Sequence, residues 1–282
     1  MCGSMYSEQA DFEQHDAEIT DFFETCRRLN VSIPRGGMGL DVGGGQGMHV
    51  WRFLELCQKL VVADIVNYPA LYEGRFLQLL AEKHARNNRA FDLSKVVFVE
   101  SDAQSQIFRD GLFDIVVSFN ALEHVPDPGA AFREVLRVAK PGALVFLQFD
   151  PIWTSPAGNH FSHFVEEPWA HLKYSTEEFG LKMRVAGATD DDVSEFCRAM
   201  NRVRLQCFLD IFHSGQMQGL VEIVDLETWP TTVEEEPRTA HPNFGTLLTE
   251  GYSPAELITR GIRLCGIRSG KSVVHAHDAT MS

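Results

Sequence analysis

Apolar positions follow two rhythms along the chain. Phe12, Ile19, Phe22, Phe23, Cys26 and Leu29 recur at helical spacing and predict a helix over 8–30, with Arg27 and Arg28 near its C-terminus, where cations are favoured. Pro34-Arg35-Gly36-Gly37 breaks that pattern. Short, nearly continuous apolar runs follow, from Met38 into the 39–47 region and over 60–65, 96–100, 113–119 and 144–149. Such runs suit strands covered on both faces. Helical stretches over 48–58, 70–89 and 128–138 separate them, the last with Phe132, Val135 and Leu136 on its apolar side. Strands alternating with helices predict an α/β fold, a doubly wound and mostly parallel sheet.

Beyond Phe149 the pattern changes. Residues 150–189 read as irregular and rich in His, Pro, Trp and Phe. A helix is predicted over 190–213, because Asp190-Asp191-Asp192 loads its first turn with negative charge. Residues 220–226 alternate like a strand, 229–255 hold Trp229-Pro230, a Glu234-Glu235-Glu236 run and turn residues, and 261–267 read as a last strand. The expected organisation is an N-terminal helical cover (1–35), a ligand-binding core (36–150), a lid and C-terminal part of the same domain (151–270) and a flexible tail (271–282). Met1-Cys2-Gly3-Ser4-Met5 reads as a cloning remnant.

The first strand runs into Asp41-Val42-Gly43-Gly44-Gly45-Gln46-Gly47. A G-x-G-x-G turn presents bare backbone to a nucleotide-like ligand. Asp64 ends the next apolar run, about where a ribose-binding acid stands in a strand–turn–helix–strand unit. Met48 occupies the position where a dinucleotide fingerprint wants its third glycine. Asp41–Gly47, Asp64, Asp102 and Asn120–Glu123 all fall at strand carboxyl ends, where open parallel sheets bind ligands.

The glycine turn resembles the first motif of the class I S-adenosylmethionine-dependent methyltransferases, D-x-G-x-G-x-G. Further motifs follow in order: Val61–Ile65, Phe98–Ala103, Phe113–Val125 and Ala139–Phe146. Gly44 departs mildly, since many relatives carry another small residue there. The resemblance implies a Rossmann-like methyltransferase sheet of seven strands with an antiparallel C-terminal hairpin, and S-adenosyl-L-methionine as cofactor. It implies that Asp41, Gly43, Gly45, Gln46 and Gly47 shape the methionine end. Asp64 and Ile65 would hold the ribose, Asp102 and Ala103 the adenine, and Asn120 with Glu123 the amino-acid moiety.

Composition narrows the partners. The chain has 282 residues, 44% of them hydrophobic, and a formal net charge of −14. The acidic balance argues against nucleic acid and anionic membrane surfaces. Six scattered cysteines without a C-x-x-C pair, and no apparent leader, suit a cytoplasmic protein, monomer or homodimer. His160 and His163, in an aromatic stretch after the fifth strand, are the candidate bases, because histidine titrates near neutrality. Their H-x-x-H spacing, even with Asp150, lacks the form of a metal site, and no metal is expected. His275-Ala276-His277-Asp278 reads as tail rather than site. The favoured reading is a transferase, O-methylating a small-molecule substrate such as a secondary metabolite or sugar. The alternatives are N-methylation, a nicotinamide oxidoreductase, and a catalytically silent S-adenosylmethionine-binding protein.

Overall fold

A computed structural model describes residues 8–230, 239–271 and 273. The cloning remnant, the Glu234–Glu236 run and the His275–Asp278 stretch lie outside these residues. One seven-stranded sheet organises the chain. In chain order its strands are β1 Met38–Val42, β2 Lys59–Asp64, β3 Val96–Glu100, β4 Phe113–Phe119, β5 Ala139–Phe149, β6 Val221–Pro230 and β7 Thr259–Arg268. Their order across the sheet is β3-β2-β1-β4-β5-β7-β6. β1 to β5 pair in parallel, and β7 runs antiparallel to both β5 and β6. The order reverses between β1 and β4, the switch point at which such sheets bind ligands.

Alternate strand residues feed two cores. Leu40, Val61, Val116, Val145 and Leu264 face one side, under α4 Pro128–Val138 and α8 Leu205–Met217. Leu60, Val62, Ile115, Val117 and Phe146 face the other, under α1 Glu8–Arg28, α2 Val50–Phe53 and α3 Phe76–Arg86. Both faces are therefore dry, which explains why the strands read as continuous apolar runs. α1 buries Phe12, Ile19, Phe22 and Cys26. Its acids also reach outward, with Asp11 on Lys83 at 2.8 Å and Asp16 on Arg89.

Several expected boundaries shift. The helix expected over 48–58 is one turn, α2, followed by turns that end at Leu56. The helical stretch 70–89 is interrupted, because Tyr72, Glu73 and Gly74 all adopt positive φ before α3 begins. The expected helix 190–213 is two helices, α7 Asp190–Ala199 and α8. Asn201 explains the break: its side chain donates to the carbonyls of Leu122 and Val125, and its amide donates to that of Glu123. The chain is pinned to the loop after β4 and cannot continue helical.

Residues 150–189 are not simply irregular. They carry α5 Ala170–Lys173 and α6 Thr176–Val185. α6 opens with a capping box in which Ser175 and Glu178 each accept the other's amide. Trp153, Phe161, Phe179, Met183 and Phe196 form a separate small core beneath α6 and α7. The 229–255 region holds α9 Pro242–Thr249 and α10 Pro254–Ile258. Among the described residues, no helix is long and apolar enough to cross a membrane.

Candidate active site

Three cavities meet at Asn120, the residue at the tip of β4. The first, of about 430 Å³, lies over the glycine turn and is walled by Gly43 to Gln46, His49 and the α1 residues Gln14, His15 and Glu18. The second, of about 260 Å³, runs along Asp64, Ile65, Asp102, Ala103 and His124. The third, of about 530 Å³, opens between α1, the end of β5, and the β6–β7 edge. Asn120 itself holds φ 47, a left-handed conformation that asparagine tolerates better than most residues. Its side-chain Nδ2 donates to Glu18 Oε1 at 2.8 Å, and its side-chain oxygen accepts from the Asp150 backbone amide at 3.1 Å.

The glycine turn is built for close approach. Gly43 has φ +69, and a Cβ there would sit 2.4 Å from Cβ of Ala121. A Cβ on Gly44 would lie 2.7 Å from the Asp41 carboxylate and 2.7 Å from a Val62 methyl, so in this structure the position is tight against the layer behind it. Gly45 has open space beyond it, with the Tyr68 hydroxyl 3.8 Å from its would-be Cβ. Its amide donates to Asp64 Oδ2 at 3.0 Å, and the Val66 amide donates to Oδ1 at 2.9 Å. Each Asp64 oxygen is thereby aimed and keeps lone-pair capacity for a diol. Ile65 is 70% exposed beside it. That is unusual for an isoleucine, and it supplies an apolar wall to the second cavity.

Not every expected residue reaches a cavity. Asp41 is fully buried behind the turn, and Gly47 packs against Phe98; neither lines any of the three. Glu123 is 1% exposed and lines none either. Burial, followed by the charges of Asp150 and Glu18, raises its carboxyl well above the usual range. Of the candidate bases, His163 lies exposed against Phe164, ring centroids 4.2 Å apart. His160 stacks near His124 at 5.1 Å. Desolvation, with His124 and Arg260 nearby, pushes its ring down to about 4. Neither histidine lines the three cavities.

The structure adds residues that the sequence did not single out. His49 Nε2 lies 2.8 Å from Glu18, and Nδ1 lies 3.7 Å from Asp41. Desolvation opposes charge on this buried ring, but Asp41 and Glu18 outweigh it and raise it to about 9. A continuous polar line thus runs Asp41–His49–Glu18–Asn120 from the glycine turn to the third cavity. That cavity is walled by Glu18, Asp21, Asp150, Glu227, Arg260 and Arg263, with Trp229 on one side. Arg263 binds Asp21 at 2.5 Å and also Glu227, while Arg260 approaches Asp150 at 3.4 Å. Gly261 gives Trp229 its place: a Cβ there would lie 2.2 Å from the indole.

The strand order, the bare-backbone turn and the carboxylates at the tips of β2 and β3 are the layout of a nucleoside-binding α/β domain with a methyltransferase strand order. Residues 40–147 match the methyltransferase domain family. An uncharacterized methyltransferase of Mycobacterium tuberculosis (strain ATCC 25177 / H37Ra) is 33% identical over 180 residues, covering 58% of this chain and 65% of that protein. Another, from Mycobacterium sp. (strain KMS), is 32% identical over 147 residues. That alignment covers 51% of this chain and spans about half (49%) of the relative's own length. Among solved structures, a protein assigned as a sarcosine dimethylglycine methyltransferase from Galdieria sulphuraria superposes with a TM-score of 0.51 at 13% identity, over 93% of this chain and 88% of its own. The [4+2]-cyclase SpnF superposes with a TM-score of 0.50 at 16% identity, over 93% and 82%. At these identities the two structures speak for the fold alone, and one of them bears the name of a different reaction. Residues 40–147 of the chain carry a methyltransferase domain.

Proposed function

We propose that this protein O-methylates a small, polar, hydroxyl-bearing acceptor, a sugar or a hydroxylated metabolite, held in the third cavity. Bound across the first two cavities, S-adenosylmethionine supplies an electrophilic methyl group. Gly43 to Gln46 cradle its amino-acid end, Asp64 takes the ribose hydroxyls, and Ile65, Asp102 and Ala103 border the base. Glu18, held by His49 and Asn120, fixes the shared wall between cofactor and acceptor.

One observation carries the acceptor assignment. The cavity that shares Asn120 and Glu18 with the cofactor side is lined by carboxylates, amides, two guanidinium groups and one indole. Such a wall suits polyhydroxyl recognition, with hydrogen bonds around the edge and Trp229 against a sugar face. Among its carboxylates, Asp150 is bound only loosely, at 3.4 Å from Arg260, while Glu18 is held by His49 and Asn120. Asp150 is therefore assigned the acceptor's proton, in place of His160 or His163, which line none of the three cavities. The surplus of carboxylates over guanidinium groups also suits an ammonium-bearing acceptor, which makes N-methylation the second reading. The segment 151–200 serves as a lid. The net charge of −14 speaks against nucleic acid, and the free thiols of the five described cysteines suit the cytoplasm.

The test is a panel of sugars, phenols and amines incubated with methyl-labelled cofactor, followed by identification of the methylated atom. An oxygen product from a sugar or hydroxylated acceptor is expected. Asp150→Asn should cut turnover about 10²-fold or more while leaving cofactor affinity unchanged. Exclusive nitrogen methylation, or full turnover in Asp150→Asn, overturns this reading.

A further inference from the structure

One polar cluster is given no chemical role in the reading above, although its His124 borders the second cavity. Glu123 is buried, and neither of its carboxylate oxygens has a hydrogen-bond partner among the described residues. Proteins rarely leave such a group without compensation. His124 lies beside it, with Nε2 3.7 Å from Glu123 Oε1. The other ring nitrogen, Nδ1, bonds to the carbonyl oxygen of Ala199. A carbonyl only accepts, so Nδ1 carries a hydrogen, and Nε2 is the nitrogen turned toward the carboxylate and placed to serve as a ligand. The third member comes from the loop after β5. A ring nitrogen of His160 completes a set of three donor atoms that all lie within 4.8 Å of one another.

We propose that Glu123, His124 and His160 bind one divalent transition-metal ion. Two imidazoles and one carboxylate are the donors of an imidazole-preferring ion such as Zn²⁺ or Co²⁺, rather than Mg²⁺ or Ca²⁺. The imidazole of His124 already has the outer-shell partner that metal-bound histidines use to fix their tautomer. With bonds of about 2 Å, the donors need to draw together by roughly 1 Å, within the reach of side-chain rotation.

The backbone around each donor is held in place. The Glu123 carbonyl accepts from the Asn201 amide at 2.9 Å. Asn159, next to His160, accepts from the Phe161 amide at 2.7 Å and contacts His171 at 2.9 Å. His160 itself sits at φ 60, a conformation that costs energy for a residue with a Cβ and that concentrates at functional sites. An ion here neutralises the buried carboxylate and ties the 151–200 segment to the loop after β4. The other group of this kind, His15, Glu18 and His49, is less suited, because both nitrogens of His49 face carboxylates as an ion-pair donor. The H-x-x-H pair is not the site either: His160 meets Glu123 and His124, while His163 does not join them.

The experiment is titration of the metal-stripped full chain with Co²⁺, followed by visible absorption, with Zn²⁺ displacement monitored by calorimetry. One equivalent of Co²⁺ with ligand-field bands is expected, and an excess of Mg²⁺ should not remove them. Glu123→Gln, which keeps size, and His160→Ala should each weaken binding at least tenfold, whereas His163→Ala should not change it. Circular dichroism checks the fold of each variant; if Glu123→Gln does not fold, His160→Ala decides. Absence of bands in the wild type, or equal binding in both variants, overturns the site. The titration needs no S-adenosylmethionine, so its outcome is independent of the methyl-transfer reading.

Discussion

The two halves of this molecule meet at Asn120 and are built by different means. Around the first two cavities, what residues 40–147 contribute is mostly backbone: a turn in which a Cβ at Gly43 would collide with Ala121, and acids aimed by main-chain amides, with α1 side chains closing over it. Around the third cavity, where we propose the acceptor is held, the wall is mostly side chains, brought from α1, β5, β6 and β7. A backbone cradle fixes one ligand and leaves little to vary. A side-chain wall is set by whatever distant segments deliver. The family match covers 40–147, the first kind of site, and stops where the second begins.

The sharpest way to break this contrast is to remove the acid the cradle aims. Asp64→Ala takes away the acceptor of two backbone amides and the residue proposed to take the ribose diol. Two hydrogen bonds to a charged group, at about 1.5–3 kcal/mol each, correspond to roughly a 10²-fold loss of cofactor affinity or more. Calorimetry with S-adenosylmethionine measures it. Undiminished affinity means the second cavity does not hold the ribose.

That same contrast explains what the sequence disclosed. Parallel strands, the turn and the acids at strand ends were legible because they are local: apolar runs, fixed spacings and glycines forced by positive φ. The antiparallel hairpin was legible only roughly, since β6 extends to Pro230 and β7 begins at Thr259. The acceptor wall was not legible. Glu18 lies on a helix read only for its apolar stripe, and nothing in its spacing reveals that it meets His49 and Asn120. Arg260, Arg263 and Trp229 come together with Asp150 through strand pairing separated by a hundred residues. His160 was singled out for its titration and its spacing to His163, but its closeness to Glu123 and His124, which lie on the other side of β5 in sequence, was not legible. The break between α7 and α8 came from a long-range pin by Asn201, which no propensity records.

The second test addresses the polar line that joins the halves. His49 is raised to about 9 from its usual 6.5 by Asp41 and Glu18, with desolvation opposing. A raised histidine stabilises the fold fully below about 6.5, and that stability is lost as pH rises through 9. Glu18 is lowered: burial pushes it up, but the bond to His49 outweighs this. Its share is present above its usual 4.5 and lost as pH falls below that. Stability should therefore peak between about 4.5 and 6.5 and fall by up to roughly 3 kcal/mol toward pH 10. His15, whose ring lies 5.0 Å from His49, and Phe119, at 4.7 Å, complete its surroundings. His49→Gln should flatten the alkaline limb in denaturant titrations. An unchanged limb in that variant means that some other group carries it.

The smallest effect separates the halves most cleanly. α6 belongs to the small core of Phe179, Met183 and Phe196, apart from both sheet cores. Its capping box holds Ser175 Oγ 3.2 Å from the Glu178 amide. Ser175→Ala removes that bond at a cost of about 1 kcal/mol, roughly a fivefold change in a local opening equilibrium. If the 151–200 segment opens on its own, amide exchange over 176–185 should accelerate about fivefold while β1, β4 and the glycine turn keep their protection. Acceleration spread evenly through the sheet would mean that the segment and the sheet unfold together. In that case nothing in the acceptor wall moves independently of the cradle it faces.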